Sequence, residues 1–296
     1  MDHRAPRLPT HSTAAYHLYG PATPDSPVIV SVPHAGRDYD LAMLAQLRVG
    51  PDALRRLEDR RADLLAHGLI ARGLSVIVAR TPRAFIDLNR DVREIDPDML
   101  SDAPRSARLQ TSAKLRGGLG LVPRRMPGVS ELWRGRLNWA DVQQRITAVH
   151  APYHAAIAGL MLAARDTHGH AILVDLHSMP SIPAVPGRPA IRLVLGDRFG
   201  RSCSTRLMAL AADVAAGHGY ATAQNHPYAG DHILERHGRP ALAMHALQIE
   251  LDRATYLDAM LDRPAGGLPR AQSMITAMVE ALAVELPRMP VTLAAE

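Results

Sequence analysis

The chain has very few cysteines, aromatic residues or lysines. Its single cysteine, Cys203, excludes an internal disulfide and any zinc site built from two or more thiolates. With two Phe, two Trp and seven Tyr, it has few rings for stacking on single-stranded nucleic acid. No apolar run of about 18 residues occurs, and residues 1–10 carry charges and prolines where a signal peptide would be apolar. These absences predict a cytoplasmic protein with no membrane partner.

Lysine is represented only by Lys114, so the basic charge is almost entirely arginine and is concentrated in one segment. The formal net charge is +5, and residues 101–136 hold eight basic against two acidic residues, a local charge of +6. The surrounding segment 96–137 is rich in Arg, Gly and Pro and lacks periodicity, which favours a functional excursion or lid. Its charge indicates either a loop that attracts a small anionic substrate or an ordinary solvated loop. A nucleic-acid-binding protein is the alternative, but no DNA-reading motif accompanies the charge, so no nucleic-acid partner is expected.

Short apolar runs rich in β-branched residues alternate with longer segments of helical spacing. The predicted strands are residues 27–32, 74–79, 171–175, 191–195 and 241–249, and the predicted helices are residues 52–72, 139–166, 201–216 and 268–286. This alternation predicts a mixed, mostly parallel α/β sheet with helices on both faces. No repeat or linker interrupts it, so we predict one domain over residues 1–296 with an irregular excursion at about 96–137.

Three residues with acid–base or metal-ligating side chains follow predicted strands. His34 comes after the first strand, His177 after the strand 171–175, and Glu250 after the strand 241–249. In open α/β sheets ligands bind beyond the carboxyl ends of the strands, so these side chains are expected to meet there. They could form a zinc site of three ligands with an open position, or a two-histidine site with Glu250 as general base.

A third metal ligand could come from the predicted helix 52–72, which offers Glu58, Asp59 and Asp63. On a regular helix, Glu58 flanks the apolar face, whereas the other two carboxylates share the opposite side. The geometry of a regular helix alone therefore favours Glu58.

An amide and a guanidinium lie side by side after the second predicted strand, at Asn89 and Arg90. Such a pair suits a substrate carboxylate held by two parallel hydrogen bonds. The alternative is a surface turn in which Arg90 forms an ion pair with Asp87 or Asp91.

Five sequence blocks resemble those of the N-formylglutamate amidohydrolase family, in the expected order between about residues 28 and 258. These blocks are residues 31–37 (SVPHAGR), 87–91 (DLNRD), 175–180 (DLHSMP), 225–230 (NHPYAG) and 245–253 (HALQIELDR). The family is related in fold to zinc carboxypeptidases and aspartoacylases, so the resemblance implies a phosphorylase/hydrolase-like sheet. It also implies a metal-dependent amidohydrolase that uses one Zn²⁺ to release formate from a small anionic N-acyl amino acid such as N-formylglutamate. A zinc carboxypeptidase-like peptidase is the alternative enzyme.

The resemblance also implies roles for individual residues. The metal ligands would be His34, Asp59 and His177, with Asp59 preferred over Glu58 because the family pattern has two aspartates four residues apart. Glu250 would be the catalytic acid/base, and Arg83 would polarise the scissile carbonyl. The substrate-binding residues would be Asn89, Arg90, Tyr228 and His232. The chain departs from the family pattern at Gly230-Asp231, where an extra carboxylate is expected near the side-chain pocket.

Overall fold

The computed structural model describes residues 8–289, and eight strands of this part of the chain form one sheet. The strand order is β1-β2-β4-β3-β5-β8-β6-β7. The strands are β1 (His11–Ser12), β2 (Tyr16–Tyr19), β3 (Val28–Val32), β4 (Val76–Ala79), β5 (Ala171–Met179), β6 (Leu193–Gly196), β7 (Thr222–Gln224) and β8 (Met244–Asp252). The central strands β4, β3, β5 and β8 are parallel, whereas β2 and β6 run antiparallel to their inner neighbours. The predicted mixed, mostly parallel sheet is confirmed.

Ten α-helices in the described part of the chain surround the sheet. They are α1 (Leu41–Gln46), α2 (Pro51–Leu54), α3 (Ala62–Leu65), α4 (His67–Ala71), α5 (Ala113–Arg116), α6 (Trp139–Arg145), α7 (Ala151–His168), α8 (Thr205–Gly217), α9 (His232–His237) and α10 (Leu268–Glu285). A π-helical turn, Ile146–His150, joins α6 to α7. By length and composition alone the resulting 30-residue helix could cross a membrane, but here α7 packs against β5 and β3.

The central strands are buried on both faces, and alternate residues supply two separate apolar cores. In β3, Val28, Val30 and Val32 belong to the core beneath α8 and α10. Ile29, between them, belongs to the core beneath α7 and the 96–137 excursion. Because successive side chains of a strand point to opposite faces, one face of the sheet serves each core.

On the α7 face the apolar rows become polar toward the carboxyl ends of the strands. In β5 the row runs from Leu173 to Asp175 and His177, and the register of the parallel pair places Glu250 of β8 directly opposite His177. Strand pairing also places Ser31 of β3 opposite Asp175. The fold thus gathers polar side chains from three neighbouring strands at one end of one face.

The predicted strands are present, but β5 and β8 continue past their predicted ends, and β8 also begins at residue 244 instead of 241. β5 and β8 each span nine residues, so His177 and Glu250 lie on strands rather than after them. The prediction ended these strands early because their last residues are polar. β1, β2 and β7 were not predicted, since they are short and carry polar residues.

The predicted continuous helix 52–72 is wrong. The structure has the short helices α2, α3 and α4 there, with irregular backbone between α2 and α3. Arg61 adopts a left-handed φ of 60°, and the Asp59 N–H donates to the carbonyl of His34 instead of to a helical partner. A regular-helix wheel therefore does not describe residues 58–63.

The segment 96–137 has irregular backbone apart from α5 and a single 3₁₀ turn. It is nevertheless anchored by buried apolar side chains, including Leu121, Leu132 and Trp133, in the core on the α7 face. This segment therefore forms a packed wall above the polar end of the sheet.

Candidate active site

His34, Asp59 and His177 form a buried group in which one candidate ligand atom of each residue lies within 4.8 Å of the other two. Asp59 Oδ2 is 2.8 Å from His177 Nδ1 and 3.5 Å from His34 Nδ1. Each of the three residues is at most 3% exposed. Loop residues after β3, the irregular segment before α3 and strand β5 each contribute one member.

A second carboxylate orients each of the two imidazoles. The Nε2–H of His34 donates to Asp87 at 2.8 Å, and the Nε2–H of His177 donates to Asp175 at 2.9 Å. Both aspartates are fully buried. Metal-binding histidines usually donate their second ring N–H to a carboxylate in this way, which turns the other nitrogen toward the ion. Here both Nδ1 atoms face Asp59.

The electrostatics of this group suit a cation. Although burial opposes the shift, hydrogen bonds to His177 and His34 hold the pKa of Asp59 well below its usual range. Burial also lowers the pKa of His177, but the carboxylates of Asp175 and Asp59 outweigh it and hold that pKa well above the usual value. The carboxylates around His177 therefore favour positive charge at this position. Two imidazoles with a carboxylate are a donor set that fits Zn²⁺.

The two other acidic candidates are engaged elsewhere. Glu58 accepts hydrogen bonds from Tyr39 and Arg60, and Asp63 forms a bidentate pair with Arg37. The prediction of Glu58, which assumed a regular helix, is wrong because the backbone is irregular here. The carboxylate of Asp59 points toward the histidines, whereas that of Glu58 points away from them.

Glu250 lies beside the histidine–aspartate group on β8. Burial raises the pKa of its carboxyl to about 7, although the positive charge of His177 opposes the shift. Gln248, two residues earlier on the same face, donates to Glu250 Oε1 at 3.2 Å. A carboxyl whose pKa lies near neutrality is suited to accept and return a proton at physiological pH.

A cavity of about 460 Å³ opens over this group. Of the residues nominated from the sequence, eight contribute to its lining: His34, Asp59, Arg83, Asn89, Arg90, His177, Tyr228 and Glu250. Lys114 and Leu119 from the excursion complete part of the wall. The cavity therefore joins the buried polar group to solvent and is large enough for a small molecule.

Asn89 and Arg90 lie at the cavity but are held by the protein itself. Asn89 Oδ1 accepts from the backbone N–H of Ile233, whereas Arg90 donates from Nε to the Leu119 carbonyl and from Nη1 to the Asn89 carbonyl. Arg90 Nη1 also lies 2.8 Å from Asp231 Oδ2. Of the two ion pairs suggested by the sequence, the one with Asp87 is present at 4.0 Å, whereas Asp91 pairs with Arg93 instead.

His232 does not contribute to the cavity lining and instead packs in a second, buried histidine cluster. Its ring lies 5.1 Å from that of His154 and 5.7 Å from that of His150, measured between ring centroids. The N–H groups of those two rings donate to the carbonyls of Leu88 and Arg90. Burial lowers the pKa of His232 to about 4, so this ring is neutral near pH 7. The cluster fixes the backbone on both sides of Asn89.

Sequence reasoning missed Asp87, Asp175 and Arg253 as members of the site. Arg253 Nη2 donates to Asp59 Oδ1 at 3.0 Å, and its Nε donates to Ser178. Two-residue spacing to His177 could have revealed Asp175, because residues i and i+2 of a strand share a face. No local pattern connects Arg253 to Asp59, which lies far away in the sequence.

The Asp175→Asn variant is expected to bind metal about 10- to 100-fold more weakly than the wild type, because it loses the carboxylate that orients the His177 ring. Competition with a chromogenic zinc chelator measures this affinity. Asp197→Asn is a matched control, since Asp197 is also buried but bonds to Asn225 outside the cavity. Equal zinc affinity in the two variants would contradict the orienting role of Asp175.

Known proteins resemble this chain in sequence. The sequence model of the family described as N-formylglutamate amidohydrolase matches residues 26–257. The N-formylglutamate deformylase of Pseudomonas aeruginosa is 30% identical over 243 residues, which cover 78% of this chain and 82% of that protein. The N-formylglutamate deformylase of Pseudomonas putida is 29% identical over 246 residues, with the same two coverages of 78% and 82%.

Solved structures resemble the fold. The crystal structure of N-formylglutamate amidohydrolase from Ralstonia eutropha JMP134 superposes with a TM-score of 0.84 at 31% identity, covering 93% of this chain and 99% of that chain. The gene product Atu2144 from Agrobacterium tumefaciens has a TM-score of 0.62 at 17% identity, covering 91% and 95% of the two chains, and supports the fold alone.

Proposed function

The chain belongs to the N-formylglutamate amidohydrolase family, and on that premise we propose that it hydrolyses the formyl amide bond of N-formylglutamate or a similar N-acyl amino acid. Water is consumed, and formate and the free amino acid are released. The observation that carries this proposal is the convergence of His34, Asp59 and His177 beside Glu250 at one cavity.

His34, Asp59 and His177 would hold one divalent ion, which we propose to be Zn²⁺. The donor set supports this assignment, as does the pairing of each histidine with a buried carboxylate. When bound, such an ion acts as a Lewis acid that polarises the acyl carbonyl and lowers the pKa of water toward neutrality.

Glu250 is proposed to move the protons of the reaction. Its carboxylate accepts a proton from the attacking water and returns it to the nitrogen of the leaving amine. The raised pKa, about 7, supports both roles because the group can then bind and release a proton at neutral pH. Its position opposite His177 in the β5–β8 pair supports direct access to the reacting atoms.

Arg83 is proposed to stabilise the oxyanion that forms when water adds to the acyl carbon. Its Nε donates to Asp87 at 2.8 Å, which fixes the guanidinium and leaves its terminal nitrogens for the substrate. Asn89, Arg90 and Tyr228 are proposed to contact the amino-acid part of the substrate. Lys114 adds positive charge to the cavity wall, which favours an anionic substrate.

We also propose that the chain works as a single domain in the cytoplasm, with the 96–137 excursion as the wall of its site. The single domain is supported by the pairing of all eight strands of the described residues in one sheet. The cytoplasmic location is supported by Cys203, the only cysteine of the chain. This residue is buried, and burial raises its thiol pKa to about 12, which suits a structural role in a reducing compartment.

Purified protein supplied with Zn²⁺ is expected to release formate from N-formylglutamate, and to cleave dipeptides ending in glutamate far more slowly. A coupled formate dehydrogenase assay follows the first reaction, and ninhydrin detection of new amino groups follows the second. Faster cleavage of the dipeptides would contradict the proposed reaction and favour a carboxypeptidase-like activity.

A further inference from the structure

Arg90 has a carboxylate partner that belongs to the chain itself. The guanidinium of Arg90 is 2% exposed, and its Nη1 lies 2.8 Å from Asp231 Oδ2. Both residues contribute to the cavity lining. A carboxylate on a guanidinium at this position is chemically the same contact that an acidic substrate would make.

The other donors of Arg90 leave little room for a second carboxylate. Its Nε is bonded to the Leu119 carbonyl and its Nη1 to the Asn89 carbonyl as well as to Asp231. A bidentate contact needs two adjacent nitrogens of the guanidinium. An incoming carboxylate can therefore form two parallel bonds to Nη1 and Nη2 only when Asp231 moves away.

Asp231 is free to make that movement, whereas Arg90 is not. The Asp231 side chain is 43% exposed, so it can turn from the cavity into water. It precedes α9 at the N-cap position, but its side chain forms no capping hydrogen bond with this helix. Its carboxylate is directed to Arg90 instead of to the local backbone partner that an N-cap aspartate usually takes.

We propose that Asp231 is a specificity-determining residue, whose carboxylate occupies Arg90 and must be displaced before an acidic substrate binds there. The inference rests on the proposed function for the substrate class, N-acyl amino acids. Its consequence is a site that discriminates against a carboxylate at the Arg90 position, and that accepts an amide there with less penalty. A like charge placed beside a bound anion is a common means of rejecting a ligand.

The test uses Asp231→Asn, which keeps the size of the side chain and removes its charge. The KM for N-formylglutamate is expected to fall about tenfold in this variant. Two analogues that carry one carboxylate instead of two locate the effect: N-formylglutamine lacks the side-chain carboxylate, and the α-amide of N-formylglutamate lacks the α-carboxylate. With the analogue whose carboxylate still faces Arg90, the KM of Asp231→Asn should again be lower than that of the wild type. With the analogue whose amide faces Arg90, the two proteins should have the same KM.

Glu235→Gln is the control for long-range charge, because Glu235 lies on the same helix but pairs with Arg198. Its KM for N-formylglutamate is expected to stay at the wild-type value. A rise in KM in Asp231→Asn would show that Asp231 merely holds Arg90 in place, and would overturn the inference. An equal fall with both analogues would overturn it too, because the effect would then be one of general charge.

Calorimetric titration of N-formylglutamate into the wild type and Asp231→Asn, both metal-free to prevent turnover, separates this inference from the proposed function. Tighter binding by the variant supports the role of Asp231 even if the zinc-loaded protein releases no formate, in which case the proposed reaction alone fails. Equal or weaker binding by the variant overturns the role of Asp231, whatever the activity.

Discussion

Replacing Glu250 by Gln is expected to lower kcat for N-formylglutamate by about 10² to 10⁴, the usual contribution of a positioned acid/base. Gln has almost the same shape and can still accept hydrogen bonds, but it cannot take a proton from water. The buried surroundings of Glu250 tolerate a neutral side chain, because burial already raises the pKa of the carboxyl to about 7.

Zinc content and the activity of a second variant separate an acid/base role of Glu250 from a structural one. Glu250→Gln should bind as much zinc as the wild type, and Glu250→Asp, which keeps the carboxylate on a shorter side chain, should retain intermediate activity. The measurement is steady-state formate release with zinc content determined on the same preparations. Wild-type kcat in Glu250→Gln would remove Glu250 from the mechanism.

Replacing His177 by Ala is expected to abolish measurable activity, with a fall of at least about 10³ in kcat/KM. A catalytic metal contributes several kcal/mol of transition-state stabilisation, and each 1.36 kcal/mol corresponds to tenfold in rate. The variant also leaves the Asp175 and Asp59 carboxylates without their shared partner. Steady-state formate release is the readout, with circular dichroism to verify that the variant is folded.

Glu58→Gln is the matched control for this experiment. Glu58 is as buried as the proposed ligands and adjoins Asp59 in sequence, but its carboxylate is bonded to Tyr39 and Arg60. Its formate release is expected to stay close to that of the wild type. A loss of activity in Glu58→Gln as large as in His177→Ala would return Glu58 to consideration as the acidic ligand.

Local pattern was enough to predict the central strands, because buried parallel strands are continuous apolar runs. It was also enough to nominate His34, His177 and Glu250, since polar residues at the ends of such runs interrupt the apolar pattern. Strand pairing could not be read in the same way. The register that sets Glu250 opposite His177 depends on two strands far apart in sequence.

The choice between Glu58 and Asp59 shows where local reasoning stops. A helical wheel assumes regular backbone, but the chain leaves the helix after α2 and passes through the left-handed Arg61. The N–H of Asp59 is instead bonded to His34, a tertiary contact. The family resemblance favoured Asp59, and the structure places its carboxylate between the two imidazoles.

The contact between Arg90 and Asp231 is likewise a tertiary contact between residues far apart in the sequence. Sequence spacing suggested Asp87 or Asp91 as the partner of Arg90, because both are close in the chain. Asp87 does pair with Arg90 at 4.0 Å, but the closer carboxylate is that of Asp231, 141 positions farther on. Asp231 reaches Arg90 because the start of α9 lies beside the loop that follows β4, where the Ile233 N–H donates to Asn89. Neither the pair nor its effect on a substrate carboxylate follows from local sequence.

The metal content of the purified protein tests the central claim most directly, because the proposed hydrolysis depends on His34, Asp59 and His177 holding one ion. After equilibration with zinc and removal of the excess, mass spectrometry should find about one zinc per wild-type chain, the same in Glu58→Gln, and almost none in His177→Ala. A wild-type protein that retains no divalent metal, or a His177→Ala variant that retains as much as the wild type, would contradict the account.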